Sequence, residues 1–214
     1  MKNMTKLIMT SFIIILLASF SAHAKESPDA TGLKAALNDY KSIQLKGELK
    51  KTLDYTYPAV FKIVPKEAML KALEQTSASG MAPKITSLEQ QPELPLKKFD
   101  KGVFTNIPYA MVMSVNLIPE NAEKEKREQM VAMTKDPEKL KAFTGFMSQM
   151  LKKNLGESTE VKLDTESLKF EIKKSGSYVA INENDTGWKF IDTTPNPMMK
   201  LENILPKEIY ASVK

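Results

Sequence analysis

The stretch from residue 109 to 117 constrains this chain more than any other. Tyr109, Met111, Met113, Val115 and Leu117 alternate with Ala110, Val112, Ser114 and Asn116. Successive side chains of a strand point to opposite faces, so this pattern puts every large apolar group on one side. The other side is mixed. Such a strand belongs to an antiparallel sheet that is covered on one face. The rest of the chain has to supply partner strands and a roof.

The roof is legible first. Ser27-Pro28-Asp29 reads as a helix start, with a hydroxyl cap, a proline at the first position and an acid in the first turn. Leu33, Ala36, Leu37 and Tyr40 then recur at helical spacing. A second short helix is expected from about residue 48 to the Tyr55/Tyr57 region, where Pro58 ends it. Residues 53–69 hold Tyr55, Tyr57, Phe61, Pro58 and Pro65 together, and mark where the opening helices turn onto the sheet. Ile63-Val64-Pro65-Lys66-Glu67 nearly recurs as Ile204-Leu205-Pro206-Lys207-Glu208. Both copies read as helix starts: a preset proline, then an acid at the positive end of the dipole.

Further strands are expected at 85–88 and 96–99, with Pro92 and Pro95 marking an edge or a connection and Asp100-Lys101-Gly102 a turn. Residues 119–155 form a helical insertion. Its first part is charge-dense, with Met130 and Met133 as main apolar content; Asp136-Pro137-Glu138 restarts a helix bearing Leu140, Phe143, Met147, Met150 and Leu151 on one side. Three short strands are expected to close the domain: 168–172, then 178–182 after a turn at Lys174-Ser175-Gly176, then 188–192 after Asn184-Asp185-Thr186-Gly187. Thr194-Pro195-Asn196-Pro197 ends the last strand, and short helical turns near 198–201 and 206–210 follow. The sum is an α+β fold: N-terminal helices packed on one face of a curved antiparallel sheet, with a helical insertion between strands.

Residues 1–24 stand outside that fold. Lys2 and Lys6 precede an apolar run over residues 8–20, and Ala22-His23-Ala24 is a small-x-small peptidase site. The reading is a signal peptide cleaved after Ala24, leaving one domain over 25–214 without a membrane span, placed in the periplasm or secreted. Cleavage removes two lysines and no acids, so the full chain's 31 basic and 26 acidic side chains become 29 and 26, or +3. Cysteine is absent, and a domain this size can rest on its core alone.

Composition excludes much chemistry. The one histidine, His23, lies in the signal segment. Imidazole- and thiol-dependent nucleophilic catalysis therefore has no residues to run on, and a zinc site has no favoured ligands. Arg127 is the single arginine, which argues against a nucleic-acid reader. No cofactor or metal is expected.

With Asn38-Asp39-Tyr40, Leu53-Asp54-Tyr55-Thr56-Tyr57-Pro58 and Gly187-Trp188-Lys189-Phe190-Ile191, the chain resembles an NTF2-like (cystatin-like, cone-shaped) α+β domain. The stretches Tyr-Thr-Tyr-Pro, Val-Pro-Lys-Glu, Gly-Trp-Lys-Phe and Leu-Pro-Lys-Glu make it similar to uncharacterised exported bacterial proteins of that type. The resemblance covers most of 30–212. It implies a fold and a pocket, and no particular activity.

Three classes of function follow, the last of them a purely structural envelope protein with a filled interior. The first is a non-enzymatic binding module. Tyr55, Tyr57, Phe61, Tyr109, Trp188 and Phe190 are the candidate lining for a small apolar ligand; core packing is the plainer role for such rings. Met130, Met133, Met147 and Met150 are the candidate surface for an envelope protein partner. An uncovered sheet face would call for a homodimer. The alternative is a small carboxylate-dependent enzyme that abstracts a proton, with Asp54 or Asp192 as base beside tyrosine donors.

Overall fold

Two strands of fifteen residues each form the spine of the molecule. The computed structural model describes residues 28–91, 95–119, 122–156, 158–194 and 199–213. The expected signal segment, its cleavage site, the Ser27 cap, Pro92 and the Pro195–Pro197 strand stop lie outside the described residues. The elements run α1 (Pro28–Leu45), two 3-10 turns (Leu49–Tyr55 and Pro58–Lys62), α2 (Lys66–Ala78), β1 (Lys84–Gln90), β2 (Lys97–Phe99), β3 (Gly102–Asn116), α3 (Lys124–Thr134) and α4 (Pro137–Leu155). Then come β4 (Glu160–Asp164), β5 (Lys169–Glu183), β6 (Lys189–Asp192), a 3-10 turn (Leu201–Asn203) and α5 (Lys207–Val213).

β3 and β5 pair antiparallel along their whole length, from Gly102↔Glu183 to Asn116↔Lys169. The flanking strands are short and share the edges: β2 and β1 take successive halves of β3, while β4 and β6 take opposite halves of β5. The α+β arrangement expected from sequence, with opening helices on a curved antiparallel sheet and an inserted helical pair, is what the chain adopts.

Two expectations are corrected. Residues 168–182 are not two strands with a turn at Lys174-Ser175-Gly176; Leu168 ends a turn, and 169–182 lie in one continuous strand, β5. Gly176 is there for space. A Cβ on it would sit 2.7 Å from the Tyr109 hydroxyl oxygen and 2.8 Å from the adjoining ring carbon. Glycine thus lets the Tyr109 ring lie flat across the sheet opposite it. The strand expected at 109–117 also begins earlier, at Gly102, with Pro108 inside it. The Pro108 carbonyl accepts from the Gln91 amide at 3.1 Å, so its backbone faces the β1 edge rather than β5. The missing N–H therefore costs the β3–β5 ladder nothing. β4 was not foreseen at all.

Pairing parity sorts the core. Ile107, Tyr109, Met111, Met113, Phe170, Ile172, Tyr178, Ala180 and Phe190 share the first face. α1 covers one half of it, with Leu33 and Leu37 against Ile107, Ala180, Trp188 and Phe190. α4 covers the other half with Phe143, Met147 and Leu151. Phe104, Val179, Ile181 and Ile191 point to the second face. There Tyr57, Val60, Ile204, Leu205 and Ile209 cover them. The C-terminal segment thus adds a layer beyond the expected roof. The rest of the second face is mostly polar and exposed or half-buried, with Lys173 paired to Glu171 at 3.5 Å.

Candidate functional site

The Tyr-Thr-Tyr-Pro stretch wraps the free edge of β6. The Tyr57 amide donates to the Phe190 carbonyl at 3.1 Å, and Thr56 bridges Phe190 in parallel sense. Tyr55 goes to the first face, its ring centroid 6.0 Å from that of Phe190. Tyr57 goes to the second face and donates its hydroxyl to Glu183 at 2.8 Å. The six candidate rings are therefore divided. Tyr55, Tyr109, Trp188 and Phe190 share the first face, Tyr57 lies across the sheet from them, and Phe61 is half-buried outside the three core clusters.

On the first face the rings form a row. Phe190 stacks on Tyr40 at 4.8 Å, Tyr40 meets Tyr178 edge-on at 5.6 Å, and Tyr178 stacks on Tyr109 at 4.3 Å. Such offset and edge geometries suit the ring quadrupole. Tyr55 closes the row at one end and donates its hydroxyl to Asp39.

At the other end the row meets a charge. The Tyr109 hydroxyl donates to Asp192 Oδ2 at 2.8 Å, and Lys174 Nζ donates to the same oxygen at 2.9 Å. The Thr194 amide and hydroxyl donate to Asp192 Oδ1 at 2.8 and 2.6 Å. The Lys174 side chain is only 6% exposed and that of Asp192 38%. Lys174 Nζ also lies 5.5 Å from the Tyr109 ring centre. Burial opposes the charge on Asp192, but Lys174 and the Thr194 donors outweigh it and hold the carboxyl below its ordinary value. Burial, reinforced by Asp192, pushes the Tyr40 and Tyr109 phenols up; burial does the same for Tyr178.

This carboxylate suits structure rather than proton abstraction. Four donors occupy its two oxygens, and a base for carbon acids needs a raised pKa, not a lowered one. Asp54 fares no better. Its side chain is 67% exposed, and the Lys66 hydrogen bond at 2.8 Å lowers its pKa. Among the described residues no group of three or more His, Cys, Asp or Glu could hold a metal ion.

Behind this network lies a cleft of about 970 Å³. It opens where the β5 edge is left bare between β4 and β6. Gly176, the seat of Tyr109, and Thr194, the clamp on Asp192, both face it. The Thr193 amide and hydroxyl each donate to the Ser177 carbonyl at 2.9 Å, and the Ser158 hydroxyl donates to the Ser175 carbonyl at 3.2 Å. Met199, Leu201 and Tyr210 form an apolar wall, and Lys152, Lys153 and Lys200 stand at the lining without an ion pair among the described residues. None of the six candidate rings lines this cleft. Sequence reasoning also passed over Lys174, Tyr178 and Thr194. A lysine in phase with Phe170 and Ile172 was the available signal for the first.

The methionines part company. Met130 and Met147 pack against the first-face core, Met133 is half-buried outside it, and Met150 is exposed. No described helix is long and apolar enough to cross a membrane. No protein-family model matches the chain, and neither a curated protein nor a solved structure proves similar to it.

Proposed function

We propose that the chain is an exported, periplasmic or secreted binding module of NTF2-like type, and that it holds a small, mainly apolar ligand without transforming it. The observation that carries this reading is the cleft of about 970 Å³ built on a fixed floor. Its volume falls in the range of small-molecule sites, roughly 300–1,000 Å³. A floor tied by the Asp192 network keeps its shape before a ligand arrives, which lowers the ordering cost of binding. Met199, Leu201 and Tyr210 offer an apolar body a wall, and Lys152, Lys153 and Lys200, without an ion pair among the described residues, give it a polar anchor. The saturated state of Asp192 and the exposure of Asp54 weigh against the enzymatic alternative.

The test uses anilinonaphthalene sulfonate, an apolar ring system with one anionic group, as a fluorescent probe. Saturable enhancement is expected. Ser175→Trp fills the cleft from an exposed strand position, so it should weaken the probe at least tenfold with an unchanged thermal midpoint. Equal probe binding by Ser175→Trp, or no saturable binding by the parent protein, overturns the proposal. Mass spectrometry of the processed protein checks export, with Lys25 expected at the new N-terminus.

A further inference from the structure

The cleft behind the Asp192 network is rich in uncommitted donors. Pro108 pairs with Ser177 and turns its own backbone toward β1, so the Ser177 amide and carbonyl face the opposite edge of β5. Ser175, two positions earlier, faces the same way. Both carbonyls are used there: that of Ser177 accepts from Thr193, and that of Ser175 from the Ser158 hydroxyl at 3.2 Å. Neither amide meets an acceptor among the described residues. The hydroxyl protons of Ser158, Thr193 and Thr194 are already given to protein oxygens. The donors left over on the lining include the two amides, about 7 Å apart by strand geometry, and Lys152, Lys153 and Lys200. The last-turn position of Lys152 and Lys153 suits the negative end of the α4 dipole, but Lys200 comes from the segment after β6 and has no such reason. Against these donors stands one acid among the described lining residues, Glu202, which accepts from the Tyr210 hydroxyl at 3.3 Å.

We infer that the cleft takes a single-chain amphiphile with an anionic headgroup, a carboxylate or a phosphate; this rests on the binding reading above and names its ligand class. The chain lies along Met199, Leu201 and Tyr210. The headgroup lies between the lysines and the β5 edge, where the two amides are spaced for two oxygens rather than one. Hydrogen bonds to an ionised acceptor are roughly twice as strong as those between neutral groups, so these donors favour an anion. A neutral chain end would displace water from the amides and leave them unpartnered, which is costly. A cationic amphiphile would set like charges together.

Competition against a neutral fluorescent probe, phenylnaphthylamine, tests the inference on the processed protein. The competitors share one chain and differ in headgroup: dodecanoate, dodecyl phosphate, dodecanol and dodecyltrimethylammonium, each below its micelle-forming concentration. At least one anion is expected to displace the probe at a concentration about tenfold or more below that of dodecanol, as one charge-assisted hydrogen bond implies. The cation should be the weakest. Preference for dodecanoate alone assigns a carboxylate, and preference for dodecyl phosphate alone a phosphate. Lys152→Gln, Lys153→Gln and Lys200→Gln combined should reduce the ratio of anion to dodecanol affinity about threefold or more. Dodecanol displacing the probe as well as both anions, or a ratio that the triple variant leaves unchanged, overturns this inference while the binding module stands. No saturable binding of the probe or of any competitor overturns both.

Discussion

The buried pair Lys174–Asp192 should respond to its two single substitutions unequally. Asp192→Asn removes the anion and strands an ammonium group that is 6% exposed. Breaking a buried pair in this way costs about 3–5 kcal/mol. Because the Asp192 side is 38% exposed and water reaches it, the low end, about 3 kcal/mol, is expected. Lys174→Met keeps the bulk of the stem and leaves the carboxylate with Tyr109, both Thr194 donors and water, for a cost of about 1 kcal/mol. The double variant has neither charge to strand, and about 2 kcal/mol is expected rather than the sum of about 4. Urea unfolding at neutral pH gives all three values. The acid limb supplies a second readout. The folded carboxyl of Asp192 lies below the unfolded value of about 3.9. Its contribution is therefore complete above about pH 5 and is lost as pH falls through the folded value, and Asp192→Asn should lack that loss. A cost under about 1 kcal/mol for Asp192→Asn, or strict additivity in the double variant, would refute the reasoning.

Two further outcomes follow from the same face. Gly176→Ala drives a methyl group into the Tyr109 ring, 2.7 Å from its oxygen, and should cost about 2 kcal/mol with a changed near-ultraviolet dichroism; an unaltered midpoint would show that the ring has room to move. Tyr40, Tyr55, Tyr57, Tyr109 and Tyr178 all have raised pKa values, with Tyr55 pushed up to about 12 chiefly by its hydrogen bond to Asp39. Groups raised on folding stabilise the native state below their unfolded value of about 10 and lose that contribution as pH rises through the folded value. Stability should accordingly decline above about pH 10, and phenolate absorbance at roughly pH 11, where an unfolded phenol is about nine-tenths ionised, should rise in denaturant by about four tyrosines' worth over the native signal.

The fold was legible wherever a local pattern had a single cause. The alternation at 109–117, the Asp136 cap, whose carboxylate accepts from the Glu138 and Lys139 amides at 3.1 Å, and the turn at 184–187 are cases of that kind. Asn184, Asp185 and Gly187 take the positive φ values of 52°, 55° and 88° that their residue types allow. Reading failed where a residue had a distant reason. Gly176 carries the composition of a turn, yet what requires it is the Tyr109 ring, 67 positions earlier in the chain and directly opposite in the ladder.

That one misreading hid the site. A turn at 174–176 resets strand parity, so Lys174 no longer falls in phase with Phe170, Ile172 and Tyr178. Kept in phase, it is a cation on an apolar face, and such a group needs an anion nearby. Asp192 supplies it because β6 pairs Asp192 with Tyr178, four residues beyond Lys174 on the same face. The cleft was less accessible still. Its lining comes from α4, the β5 edge, the segment after β6 and the C-terminal helix, which share no spacing in sequence. What can be inferred in advance is the condition for it: a long strand whose two short partners, β4 and β6, leave part of one edge uncovered. β5 meets that condition between Lys173 and Tyr178, and there the chain has placed small side chains, Ser175, Gly176 and Ser177, beneath a wall of larger ones.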